Sequence, residues 1–483
     1  MVPAHHGPKI SREGLNVTAI AARPDLAALH AQLQEKVVAA AAEHRVPGVA
    51  VGIYSAGAED YVFHGVTSIE NPLAVNAETL FQIGSTTKTY TATALMVLVE
   101  QGKVDLQAKV RDYLPEFKVK DEAAASEVRV INLLNHTGGW VGDIFEDTGS
   151  GDDALEKYVA YLEGVDQMAP MGTVASYNNA AFNVAGRLVE KVTGKTYEAA
   201  VRELLFEPLG LDETFFYDGT IITRRVAIGH AEREEQPVVA RLWPIPRSAN
   251  PAGGVISTAA DQLKYARFHL GDGTGKDGQK VLSRESLDQM KRATFSLNGG
   301  ALGDEVGLSW LISEVDGVRL VGHGGATNGQ MAAFLTAPEQ DFAIAVLTNA
   351  NAGAPLHKEV VDWVLEAYLG VSKPKDEPLD LGADELAVYA GDYDAKMVVL
   401  KVTVDGDHLL LKQVPTEEGL RQSRSFLGED PPEPPDIPVK VLANDRLLII
   451  DGAAKGHKIP VLRGQGEEIT GLVVGGRAAY RVQ

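Results

Sequence analysis

Between Lys88 and Glu100 the chain runs through eleven residues without a charge, Leu95, Met96, Leu98 and Val99 standing among threonines and alanines. The spacing predicts a helix over Thr86 to Gln101, stopped by Gly102. A helix apolar on nearly every side cannot lie on a surface, so this one requires a domain that wraps it completely. The 483 residues provide for that. At about 150 residues per domain they make roughly three units, or one large catalytic domain with a small one.

The surrounding patterns predict how the wrapping is done. Pro24 to His44 puts Leu26, Leu29, Leu33 and Val37 on one helical face. Val49 to Tyr54 and Tyr61 to Val66 read as a strand pair around the turn Ser55-Ala56-Gly57-Ala58. Helical periods recur at Ala180–Thr193, Thr258–Leu270 and His357–Leu369, and strand-like runs at Gly317–Val321, Met331–Thr336 and Phe342–Leu347. Strands near both ends with helices between them predict one α+β domain over residues 25–370, its sheet drawing on both chain ends. Residues 1–24 precede it as an extension.

Past Gly370 the character changes. The charged, proline-rich stretch Ser372 to Pro378 reads as part of a linker over residues 371–385. Short alternating runs then follow at Val398–Val404, His408–Lys412, Val439–Val441, Arg446–Ile450 and Ala478–Val482, separated by turn signals such as Asp405-Gly406. They predict a small antiparallel barrel or sandwich over residues 386–483. Gly428 to Pro438, with five prolines and four acidic residues, reads better as a stiff solvated loop than as a ligand for a proline-reading module.

The formal charge of -21 excludes a nucleic-acid backbone or an anionic membrane as the main partner, because both need a cationic face. The absence of cysteine excludes disulfides, thiolate nucleophiles and cysteine-held metals. No apolar run approaches the ~18 residues of a membrane helix. Met1 to Gly7 lacks the apolar stretch of a secretory signal, so the chain as it stands is expected in the cytoplasm, a removed leader leaving no trace. The histidines show no His-Glu-x-x-His spacing, and no metal or other cofactor is implied. The Gly-x-Ser-x-Gly elbow is absent, Ile83 standing two before Ser85.

Three short segments carry chemistry. Ser85 opens the buried helix, where free backbone N–H groups favour developing negative charge, and Lys88 lies one turn on. A serine hydroxyl needs an adjacent base, and a lysine among apolar neighbours can serve as one. Taken alone, the pair reads better as a helix cap followed by a lysine reaching for water, since Ser-x-x-Lys occurs by chance in many chains. Ser176-Tyr177-Asn178-Asn179 offers a proton-carrying hydroxyl on Tyr177 and an amide on Asn179 to hold a substrate carbonyl. His323-Gly324-Gly325-Ala326 follows a strand; its glycines admit a substrate backbone to the strand edge, and His323 supplies a donor.

In this order, Ser-x-x-Lys, Tyr-x-Asn and His-x-Gly resemble the serine hydrolases related to class C β-lactamases and D-Ala-D-Ala carboxypeptidases. Leu133-Leu134-Asn135-His136-Thr137-Gly138-Gly139 is similar to the family's Leu-Leu-x-His-Thr-Ser-Gly segment, with Gly138 in place of its Ser. Phe206 to Leu211 and Ala252 to Thr258 also fit, so the likeness spans residues 25 to 370. The C-terminal part resembles the lipocalin-like barrel appended to some members. The resemblance implies an antiparallel sheet flanked by helices, plus an all-helical lobe. It implies an acyl-enzyme on Ser85, proton transfer through Lys88 and Tyr177, and an oxyanion hole at the backbone N–H groups of Ser85 and Ala326. It further implies Asn179 orienting the acyl side, His323 supporting Tyr177, and a structural role for His136.

Small esters, amides or short peptides are the implied substrates, with esterase or D-aminopeptidase-like activity first and weak or moderate β-lactamase activity second. Ligand capture without turnover, as in a penicillin-binding protein, is the alternative from another class. The barrel would cover the active-site mouth or mediate homo-oligomer formation, as in some relatives. The lactamases' usual Lys-Thr-Gly occurs nowhere in the chain. With a histidine in its place, activity is expected to rise through about pH 6–7 as His323 loses its proton.

Overall fold

The computed structural model describes residues 26–217, 220–427, 433–452 and 454–482. The expected extension over residues 1–24 and the first part of the Pro-rich loop lie outside these residues.

The charge-free stretch forms helix α2 (Thr87–Glu100), entered through a 3-10 turn at Gly84–Thr86. Leu95, Met96 and Leu98 are fully buried, and so are Thr89, Thr91 and Thr93. Those hydroxyls are tolerated because they bond to carbonyls of the preceding turn: Thr89 Oγ1 donates to Thr86 O (2.8 Å) and Thr93 Oγ1 to Thr89 O (2.7 Å).

An eight-stranded antiparallel sheet lies beside it. Its strands are β1 (Gly48–Ser55), β2 (Ala58–Gly65), β3 (Phe295–Gly300), β4 (Gly303–Val306), β5 (Leu311–Val315), β6 (Val318–Thr327), β7 (Gln330–Ala337) and β8 (Phe342–Thr348), in the spatial order 2-1-8-7-6-5-4-3. β1 pairs with β8 from Val49↔Thr348 to Ser55↔Phe342, so both ends of this part of the chain do meet in one sheet. Ala56 and Gly57 both take positive φ, as a two-residue hairpin that follows the strand twist requires.

The alternation along β8 divides the interior in two. Phe342, Ile344 and Val346 face helices α1 (Leu26–Glu43) and α5 (Gly353–Val364); Ala343, Ala345 and Leu347 face the helical lobe built around α2, α3 (Asn179–Thr193) and α4 (Ala259–Leu270). Each buried Val, Ile or Leu contributes about 1.5–3 kcal/mol, so slipping β8 by one residue would exchange both cores and is strongly opposed. The helix expected at His357–Leu369 begins earlier, at Gly353, and its last turn widens over Leu365–Leu369. The strand expected at Gly317–Val321 runs on to Thr327 and carries the His323 segment.

After the residues read as a linker comes a closed antiparallel barrel of eight strands: β9 (Gly391–Asp394), β10 (Val398–Asp405), β11 (His408–Pro415), β12 (Ile437–Leu442), β13 (Arg446–Ile449), β14 (Lys458–Arg463), β15 (Ile469–Val474) and β16 (Arg477–Arg481). β9 pairs with β16 at Tyr393↔Arg481, which closes the ring and removes its edges. Its interior is filled by side chains such as Leu400, Val402, Leu409, Val441 and Leu472. β3, β4, β5, β9, β14 and β15 lacked a clear alternation in the sequence.

The barrel docks on the helical lobe through its β15–β16 hairpin. Gly475 and Gly476, both at positive φ, make the tip. Gly476 O accepts from the Tyr177 backbone N–H (2.8 Å), and Ala478 N–H donates to Ser176 Oγ (3.2 Å).

Candidate active site

Ser85 sits on the 3-10 turn that feeds α2, pressed against β6. Two glycines permit the approach. A Cβ on Gly325 would stand 1.8 Å from Ile83 O, and one on Gly84, which takes φ +49°, would stand 2.5 Å from Ala326 N. Thr86 Oγ1 pins the contact by donating to His323 O (3.1 Å). β5 ends opposite Gly322, so residues 323–327 of β6 have no strand on that side and turn it toward Ser85. The backbone N–H groups of Ser85 and Ala326 thus come together from two elements far apart in sequence.

Lys88 is wholly buried. Its Nζ lies 3.0 Å from Ser85 Oγ and 2.7 Å from Ala252 O, the carbonyl of the Ala252–Thr258 segment. Burial pushes its pKa well below the usual lysine value; the Arg477 cation lowers it further, against an opposing pull from Asp143. Tyr177 hydrogen-bonds Ser85, and burial raises its hydroxyl far enough to keep it protonated at neutral pH. Ser85 thus has a lysine whose ammonium form burial disfavours on one side and a phenol on the other.

Tyr177 is held by its surroundings. The His136 ring stacks on it at 4.5 Å, and His136 Nδ1 accepts from the Asn178 N–H (3.0 Å), which fixes its tautomer. Asn178, not Asn179, caps α3, its Oδ1 accepting from Ala181 N–H (2.7 Å). The departure at Gly138 has a steric reason: a Cβ there would lie 2.3 Å from the Trp140 ring.

His323 is buried, 6.0 Å from Tyr177 between ring centroids, and its Nδ1 donates to Gly324 O (2.5 Å). Burial and the nearby Lys88 lower its pKa to about 3. The expectation that His323 titrates through pH 6–7 is therefore wrong. That expectation gave the imidazole the ordinary histidine range, whereas the ring is enclosed and stays neutral, with Nε2 bare.

Asn179 lies at the site, but its Nδ2 donates to Asp143 Oδ1 (2.7 Å). Asp143 is in turn clamped by Arg477, whose Nε and Nη2 reach its two oxygens at 3.0 and 3.2 Å. Arg477 follows the barrel's hairpin tip, and its guanidinium covers the Tyr177 ring at 4.6 Å. Neither residue was found from sequence. Gly475-Gly476 signals a turn, and nothing in it says that the turn points into a site some three hundred residues upstream.

A cleft of about 710 Å³ opens at Ser85, Tyr177, Asn179 and residues 322–327, and runs between sheet and barrel past Leu311, Leu335 and Leu365 to Lys373 and His457. Its walls are mostly apolar, and it is large enough for a drug-sized molecule.

A beta-lactamase family model matches residues 32–369. The chain is 36% identical to penicillin-binding protein 4 of Amycolatopsis lactamdurans over 371 residues, 76% of this chain and 97% of that protein. The chain belongs to the beta-lactamase family. Members of this family are serine hydrolases. The crystal structure of SurE superposes with a TM-score of 0.74 at 25% identity, over 95% of this chain and all of that one. The octameric penicillin-binding protein homologue from Pyrococcus abyssi superposes with a TM-score of 0.64 at 23% identity, over 94% and 99%. Both likenesses extend past the family segment into the barrel, so the two-part architecture recurs. Among the described residues of this family member, no helix is long and apolar enough to cross a membrane.

Proposed function

We propose that the protein hydrolyses esters or amides through an acyl-enzyme on Ser85. The observation that carries this reading is the buried Lys88, its ammonium form disfavoured by burial and its Nζ 3.0 Å from Ser85 Oγ. As Ser85 Oγ bonds to the substrate carbonyl carbon, its proton passes to the Lys88 amine and the carbonyl electron pair moves onto oxygen. The N–H groups of Ser85 and Ala326 receive that oxygen, each donor contributing ~3 kcal/mol to the transition state. The carbonyl re-forms as the bond to the alcohol or amine breaks, Tyr177 giving the leaving group a proton and recovering one from the Lys88 ammonium, and water then frees the acyl group by the reverse route. His323, neutral with a bare Nε2, supports Tyr177 by packing and leaves it its proton.

The apolar cleft favours acyl groups with an apolar body, which puts esterase activity first. D-Aminopeptidase-like activity needs an acid for a free amine, and Asp143 is already engaged by Arg477. β-Lactam turnover ranks second, because a neutral His323 stands where lactamases keep a cation; relatives named as beta-lactamases give it support, whereas the one named as a penicillin-binding protein supports ligand capture. Self-association belongs to the same reading, and light scattering of the purified chain would measure it.

The test is intact-mass analysis after a fluorophosphonate, followed by p-nitrophenyl esters, D- and L-amino-acid anilides and nitrocefin. One adduct on Ser85, with ester turnover leading, is expected. An unlabelled Ser85 in active protein would end the mechanism, and an adduct from penicillin without turnover of any substrate would favour ligand capture.

A further inference from the structure

The general base of the proposed mechanism comes from the helical lobe, but the electrostatic field around it is set in part by the barrel. Lys88 Nζ and the Arg477 guanidinium rest 4.9 Å and 4.6 Å from the centroid of the same Tyr177 ring. The ionisable groups around Lys88 are Ser85 on its own turn, Tyr177 before α3, His136 on the loop stacked against Tyr177, His323 on β6, Asp143 on the Trp140 loop, and Arg477 from the barrel. Burial keeps both histidines neutral and Tyr177 protonated. The permanent charges are therefore two: the Asp143 carboxylate and the Arg477 guanidinium.

An unpaired carboxylate so close to a dry lysine stabilises the ammonium, and an ammonium cannot take a proton from Ser85. Arg477 removes that pull in a fixed geometry. Nε and Nη2 grip both oxygens of Asp143, while Nη1 donates to Gly475 O (2.7 Å), bracing the fork against its own hairpin. The hairpin is itself anchored by the bond from Tyr177 N–H to Gly476 O (2.8 Å). The same grip holds the carboxylate to which Asn179 donates.

We infer that the barrel arms the Ser85 site: Arg477, by neutralising Asp143, is a positioning residue that lets Lys88 stand ready as an uncharged amine. This rests on the acyl-enzyme reading above. It gives the appended barrel a part in the chemistry beyond covering the cleft.

Rates of Ser85 labelling by a small fluorophosphonate, followed by intact mass from pH 5 to 10 on the full chain, test it. Arg477→Gln leaves Asp143 unopposed, so the acid limb of the labelling rate should move up by about one pH unit or more, an about tenfold loss at pH values on the limb that is recovered in alkali. Asp143→Asn should move the limb down. The double variant should return close to the wild-type curve. A role confined to anchoring substrate would raise KM for esters and leave every limb in place. The inference is overturned if the Arg477→Gln limb superimposes on the wild-type one, or if the loss is uniform with pH and Asp143→Asn does not rescue it. Should Arg477→Gln not fold, Asp143→Asn decides alone, and a limb unmoved or moved up overturns the inference. Absence of label on the wild type would overturn the acyl-enzyme reading instead.

Discussion

Ser85 and Arg477 meet over one tyrosine ring, yet they reach it in opposite ways. Ser85 finds Lys88 one helical turn away, so their meeting is fixed as soon as α2 forms. Arg477 finds Asp143 across 334 residues, and only after a barrel has closed and its hairpin has docked. The local pair supplies the reacting groups, while the distant pair adjusts the charge around them. Changes at the first region should therefore abolish chemistry, whereas changes at the second should retune it.

The largest expected effect is at the local end. Ser85→Ala should bring turnover to background, a loss on the order of 10⁴-fold or more in kcat, with an unchanged circular dichroism spectrum. Residual activity close to wild type would place the nucleophile elsewhere. Next comes Lys88→Arg, which installs a permanent cation. We expect a loss of about 10²–10⁴-fold in kcat/KM that alkaline pH does not recover, measured on one ester. Alkaline recovery would mean that Lys88 acts only by its charge.

The glycines of β6 bear on the same contrast, because they lie far from Ser85 in sequence yet act by letting its turn approach the strand. Gly325→Ala sets a Cβ 1.8 Å from Ile83 O, and separating turn from strand should cost about 10²-fold in kcat/KM. Gly324→Ala, with its nearest neighbour at 3.5 Å, should lose far less. Equal losses would show that the spacing between the turn and β6 is not what matters.

The smallest effect concerns His323. Its pKa lies near 3, so the wild-type profile of kcat/KM should show no break at pH 6–7, and His323→Gln should keep the profile's shape. The same depression makes His323 a destabilising group in acid. The unfolded chain takes its proton near pH 6.5, so stability should fall as pH drops from there toward 3, and less steeply in His323→Gln. A wild-type break near 6.5 that vanishes in the variant would return His323 to the titrating set.

What sequence made legible follows the same division. The Ser85–Lys88 turn, the Tyr177 and His323 segments and the buried helix are read from contacts within a few residues, or from periods that burial imposes. β1 and β8 were legible because one face alternates with the other along each. The barrel's less regular strands were not, since Gly391–Asp394 mixes glycine, acidic and aromatic residues and Ile469–Val474 is interrupted by Thr470 and Gly471. Asp143 and Arg477 were missed for a deeper reason: an isolated Asp and an isolated Arg carry no signal until docking pairs them. The titration expected of His323 failed likewise, because its residue type is written in the sequence and its solvent exposure is not.

The proposed activation of Ser85 requires a lysine that is uncharged at neutral pH. The most direct measurement is the pH dependence of Ser85 labelling by a fluorophosphonate in the wild-type chain. The rate should already be on its plateau at pH 7, with the acid limb well below the ordinary lysine range. A rate that is negligible at pH 7 and climbs only through about pH 10, where an ordinary lysine gives up its proton, would contradict it.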